Sequence, residues 1–159
     1  MRETQMNKDT RLSGVLHVLL HLGQVSVPLT SEVLAKTMGT NPPVFRRTMA
    51  GLRKAGYVTS EKGHGGGWVL ARPLSEITLH DVYVALDRPG LFAIASRDEN
   101  TACKLERAVN DALSDTMAKA EALFLETFRG ITLDRLMPET SQGLSIHCKP
   151  SPQLRPALA

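Results

Sequence analysis

Asn41–Pro73, NPPVFRRTMAGLRKAGYVTSEKGHGGGWVLARP, reads as a basic helix followed by a glycine-tipped hairpin, and that reading decides the fold. Asn41 is a good N-cap. Pro42 then takes the first helical position, where its missing N–H needs no partner, and Pro43 is tolerated in the same turn. The helix runs through Val44–Ala55 and stops at Gly56, a glycine just past its end. Phe45, Met49 and Leu52 recur at i, i+4 and i+7 and face inward, which leaves Arg46, Arg47, Arg53 and Lys54 outside. Tyr57–Ser60 is a strand signal. Glu61–Gly67 carries the glycines of a turn, and Trp68–Ala71 returns as a second strand, with Trp68 packing beneath the hairpin. The glycines permit positive φ and a close backbone approach to another surface.

Two helices precede this stretch. The first spans about Asp9–Leu22, capped by Asp9 or Thr10, with Leu12, Val15, Leu16, Leu19 and Leu20 on one face and Gly23 as its stop. The second spans Ser31–Met38, capped by Thr30, with Val33, Leu34 and Met38 inward and Gly39 ending it. Three helices on short turns, the last basic on its outer face, followed by a hairpin, make a winged helix-turn-helix.

Beyond the hairpin, Thr78 and Asp81 have capping-box spacing and open a helix holding Val82, Ala85 and Leu86. Residues 87–100 read as a loop with a small apolar patch, Leu91–Ile94. A long helix follows over about 101–128. Its stripe of Leu105, Val109, Leu113, Met117, Ala120, Phe124 and Phe128 is longer than one small domain can cover, so a partner helix is expected. Gly130 ends that helix, and Thr132–Leu136 forms a final turn. Four prolines mark residues 137–159 as a disordered tail. The fold class is therefore mainly α with a small β-hairpin. The divisions are a DNA-binding domain over 9–86, a loop over 87–100, a dimerisation helix and last turn over 101–136, and the tail.

Charge follows the same division. Residues 1–72 hold ten Lys/Arg against four Asp/Glu, whereas residues 73–159 hold nine against twelve. A basic first half suits a polyanion and a near-neutral second half suits a protein partner. No signal peptide or spanning segment is evident, and the two cysteines, Cys103 and Cys148, imply no disulfide framework, so a cytoplasmic protein is expected.

Arg46 and Arg47 can grip guanine O6/N7 or phosphate. Arg53 and Lys54 sit where a helix C-terminus also favours cations, so a phosphate contact and a structural role both stand. Lys62, His64, Gly65 and Gly66 place the hairpin tip against a backbone or minor groove, with a solvated turn residue as the other reading of His64. The Gly65–Gly67 run is no phosphate loop, because Trp68 continues a strand where Lys-Ser/Thr and a helix would be needed. His17 and His21 have i, i+4 metal-ligand spacing but no third ligand beside them, and read as surface or groove-lining residues. No metal site and no catalytic set emerge, so the chain is read as no enzyme; a winged helix that binds protein instead of DNA is the other reading.

The stretches Asn41–Pro73 and Ile77–Leu86 (ITLHDVYVAL), together with the long helix from near Cys103 to Ile131–Leu136 (ITLDRL), resemble the Rrf2 family of bacterial winged-helix regulators. The likeness spans roughly residues 9–136. It implies a homodimer whose long helices cross, seamed by Leu105, Val109, Leu113, Met117 and Phe124, and a palindromic double-stranded DNA operator. It further implies base reading from Pro43, Arg46 and Arg47, with Lys62 as the basic wing residue. Cluster-binding relatives carry three cysteines before the long helix, and this chain has only Cys103 there. No iron–sulfur cluster is therefore expected. The chain looks like the single-cysteine members, and is read as a repressor in which Cys103 is a thiol sensor or an inert packing residue.

Overall fold

The computed structural model describes residues 9–63, 65–91 and 102–138. His64, most of the 87–100 loop, Cys148 and nearly all of the expected tail lie outside them. Helix α1 spans Arg11–Gly23 and α2 spans Ser31–Thr37. Thr10 holds the N-cap position of α1 without a side-chain bond, while the Asp9 carboxylate accepts the Arg11 N–H at 2.9 Å. The Thr30 hydroxyl accepts the Val33 N–H at 3.4 Å, so the expected cap of α2 forms. Helix α3 spans Pro42–Lys54, and Asn41 Oδ1 accepts the Val44 N–H at 3.0 Å, one of the orphan donors of its first turn. Gly56, at φ +78°, ends the helix and lets the Tyr57 N–H reach back to the Leu52 carbonyl at 3.0 Å.

Strands β1 (Val58–Ser60) and β2 (Trp68–Leu70) pair antiparallel in the register Val58–Leu70, Thr59–Val69, Ser60–Trp68. Leu29 adds a third short rung: its N–H donates to the Trp68 carbonyl at 3.1 Å and its carbonyl accepts from the Trp68 N–H at 2.8 Å. Helix α4 spans Leu79–Ala85 behind a complete Thr78–Asp81 capping box. Helix α5 spans Lys104–Arg129, three residues later than the expected start, with Cys103 at the N-cap. Short 3₁₀ turns cover Leu74–Glu76 and Leu133–Leu136.

The core gathers α1 (Val15, Val18, Leu19), α2 (Leu34), α3 (Phe45, Met49, Leu52), β1 (Val58), α4 (Val82) and Leu133 from the last turn, all fully buried. That turn is stitched back by hydrogen bonds from the Leu79 N–H to the Ile131 carbonyl at 3.0 Å and from the Leu133 N–H to the Ile77 carbonyl at 2.9 Å. Phe128 packs edge-on to buried Tyr83, at 6.3 Å between centroids. The C-terminal end of α5 is thereby fastened to the winged domain.

Two expectations of burial are corrected. Val33 is 38 % exposed rather than inward, because Leu34 and Ala35 fill the short face that a seven-residue helix turns to the core. His21 is only 6 % exposed, which removes the surface half of the surface or groove-lining expectation. Its Nε2 lies 3.0 Å from His17 Nε2, and its buried Nδ1 has no hydrogen-bond partner among the described residues. Burial, helped by the neighbouring His17, pushes the His21 pKa below the ordinary histidine value. The unfolded chain then takes up a proton near pH 6.5 that the folded chain resists, so this contribution to stability is full above that pH and is lost as pH falls below it. The melting temperature is expected to drop between pH 7.5 and 5.5, and to drop less in His21→Leu. Equal slopes for the two proteins would remove His21 from the linkage.

Candidate nucleic-acid interface

Successive helical residues turn by about 100° around the axis, so Arg46 and Arg47, adjacent in the chain, leave α3 in different directions. Arg46 lines an open cleft of 570 Å³ with Arg53, Lys62, Ser60 and the Thr30–Glu32 start of α2. Arg47 lines a second cleft of 410 Å³ on the other flank of α3, together with Arg11, Thr48, Gly51 and Asp87. Both arginines are exposed, as are Pro43, Ala50, Arg53, Lys54 and Lys62. Helix α3 itself holds no acidic residue. A carboxylate stands near Arg46 all the same: Glu32, whose pKa is lowered by its own backbone N–H first, then by Thr30 and by the Arg46 charge.

The wing is held to the helix at both ends. Arg53 Nη1 donates to Ser60 Oγ at 3.3 Å, tying the C-terminal turn of α3 to β1. Trp68 is buried as expected, edge-on to Phe45 at 5.5 Å, and its indole N–H donates to Ser31 Oγ at 3.0 Å. At the wing base the Arg72 guanidinium stands 5.9 Å from the Tyr57 ring. Burial opposes ionisation of Asp81. Hydrogen bonds, led by those from the Thr78 backbone and hydroxyl, outweigh it, so its pKa falls below the usual carboxylate value. Burial, and then the Asp81 charge, raise that of Tyr57.

The wing glycines divide by cause. Gly63 and Gly65 take φ +102° and +81°, which other residues rarely adopt, and a Cβ on either would meet nothing. At Gly66 a Cβ would fall 2.5 Å from the Glu61 carbonyl oxygen, and at Gly67 2.7 Å from that of Leu29. Gly66, read from the sequence as a DNA-contact position, is thus also required by the hairpin itself. The sequence reading passed over Ala50, Arg11 and Glu32, which the fold brings beside the candidate arginines. Helical spacing alone would have found Ala50.

On α5 the seam residues are open to solvent in the single chain: Leu105 is 79 % exposed, Val109 57 %, Leu113 41 % and Phe124 39 %, while Met117 is half-buried. Leu123, at 66 %, joins them. Cys103 is exposed at the start of the same helix. No helix among the described residues is long and apolar enough to cross a membrane.

A model of the Rrf2 family, described as an iron-dependent transcriptional regulator, matches residues 8–139. The protein rrf2 of Nitratidesulfovibrio vulgaris is 33 % identical over 153 residues, which cover 94 % of this chain and 95 % of that protein. YwgB of Bacillus subtilis, provisionally named an HTH-type transcriptional regulator, is 34 % identical over 54 % of this chain, and the chain spans only 56 % of its length. A crystal structure of a Lactobacillus plantarum protein, provisionally described as a transcriptional regulator, superposes with a TM-score of 0.67 at 23 % identity, over 80 % of this chain and 87 % of that one. That likeness concerns the fold alone. The donor set does not fit iron held as a cluster. The chain has two cysteines, 103 and 148, where clusters take several thiolates, and the described residues hold no group of three or more His, Cys, Asp or Glu placed to share an ion.

Proposed function

Given that this chain belongs to the Rrf2 family of DNA-binding winged-helix transcriptional regulators, we propose that it acts as a cytoplasmic, homodimeric, sequence-specific repressor on a palindromic operator. The observation that carries the reading is the pair of clefts flanking α3 in which cations outnumber carboxylates: Arg46, Arg53 and Lys62 against Glu32 and Glu61 on one side, and Arg11 and Arg47 against Asp87 on the other. Pro43, Arg46 and Arg47 enter the major groove. Lys62 and the Gly65–Gly66 tip lie along the neighbouring backbone, and Arg53 and Lys54 add phosphate contacts. The exposed apolar residues of α5 support a seam with a second copy, which sets two recognition helices about one helical turn of DNA apart. Residues 9–86 are the DNA-binding unit and 101–136 the dimerisation unit of this reading.

Duplex binding titrated against salt tests it. Phosphate contacts release counterions, so affinity falls steeply with salt. Lys62→Ala is expected to weaken all duplexes evenly and to flatten the slope by about one ion, while Arg47→Ala costs about 1–3 kcal/mol. Unchanged affinity in both variants would take helix and wing out of the interface. A salt-independent interaction would point to a protein ligand instead.

Cys103 is the proposed input. It stands exposed where α5 begins, so oxidation or alkylation adds volume at the root of the dimer helix and alters the spacing of the recognition helices. Peroxide is expected to lower operator affinity in the wild type and not in Cys103→Ser. An identical response from both proteins makes Cys103 structural.

A further inference from the structure

The two arginines of α3 straddle one small apolar side chain. By helical spacing Ala50 lies about 40° around the axis from Arg46 and about 60° from Arg47, between them and one turn further along. It is exposed, about 100° to 160° around the axis from buried Met49, Phe45 and Leu52, and it lines neither flanking cleft. Pro43 and Lys54 share its sector. Within the interface proposed above, on which this step rests, Arg46 and Arg47 enter the major groove, and the sector between them, which carries Ala50, meets the base edges there. Ala50 brings a single methyl group to that sector. It can neither donate nor accept a hydrogen bond, and its size lets the helix come close. Among the four bases only thymine offers a methyl group in the major groove, and alanine is among the side chains that suit it.

We propose that Ala50 is a specificity-determining residue that reads a thymine methyl group in each half-site. Arg46 and Arg47 anchor the helix on either side of that contact. The preferred half-site then holds a thymine that is required for its methyl group and not for its hydrogen-bonding pattern.

The test uses the full chain and the duplex it enriches from a random pool. Each thymine of a half-site is replaced in turn by deoxyuridine, which removes only the C5 methyl. Wild type is expected to lose about fourfold in affinity at one thymine position, the weight of one buried hydrocarbon group. Ala50→Gly is expected to bind the thymine and deoxyuridine duplexes equally at that position. Ala50→Ser, which keeps the helix better than glycine, is expected to do the same, and Arg47→Ala to bind more weakly overall while retaining the discrimination. Insensitivity to deoxyuridine at every position overturns the proposal, as does discrimination that survives in both Ala50 variants. If no duplex is enriched at all, the DNA-binding reading fails first and this one with it.

Discussion

Protein carrying Val109→Asp and Leu113→Asp is expected to sediment at half the wild-type mass and to lose measurable operator affinity. Both residues lie on the open stripe of α5, 57 % and 41 % exposed in the single chain, so the substitutions leave the winged core untouched. In a two-fold seam each carboxylate appears twice, in an apolar stripe that also holds Leu105 and Leu123. An unpaired charge taken out of water costs several kcal/mol. Even about 4 kcal/mol in all raises the dissociation constant of the dimer by about a thousandfold. Operator affinity follows, because a monomer meets only one half-site. The winged domain should still melt cooperatively. A wild-type mass for this variant would place the dimer contact elsewhere, or deny it.

The second large effect is expected at Gly51, in the last turn of α3. Propensity alone favours Gly51→Ala by about 1 kcal/mol. The structure argues the reverse. A Cβ there would fall 1.8 Å from the carbonyl oxygen of Ala85 and 3.0 Å from its carbon, and these are backbone atoms that no rotamer change can move. The last turn of α4 would have to retreat from α3 by more than an ångström, and overpacking of this kind typically costs about 1–3 kcal/mol, occasionally more. The clash outweighs the propensity, and the net expectation is a fall of several degrees in melting temperature, together with weaker duplex binding, because α3 is the displaced element. A rise in melting temperature would mean that α3 and α4 are further apart than described. After the C-cap residue Leu86 come Asp87 and Arg88, at φ +64° and +49°, so the chain leaves α4 through a turn that is itself unusual for such residues.

How much of this was legible differs from residue to residue. The start of α3 was, because Asn41 and the two prolines act locally, through one side-chain bond and two fixed φ angles. The hairpin and the burial of Trp68 were, because apolar runs bracket the glycines. His21 was not. It lies on the flank of an amphipathic helix, and whether such a flank is covered depends on how a second element packs there. Gly51 reads in the sequence only as a weak point in a helix, since the close approach of Ala85 is a fact about two elements. The rung at Leu29 likewise depends on where the hairpin lands. Leu123 escaped because the stripe, read in steps of three or four, passes from Ala120 to Phe124, although a step of three from Ala120 lands on Leu123. The candidate site was legible as residue types, in Arg46, Arg47 and Lys62. Ala50, between the two arginines, was legible from helical spacing, while the two clefts on either side of it needed the geometry of α2, the wing and α4.

The most direct test of the central claim is selection of duplexes from a random pool by the wild-type protein. The account predicts enrichment of two inverted half-sites, with centres about one helical turn of DNA apart. A pool that shows no enrichment, or a motif without two-fold symmetry, would contradict it.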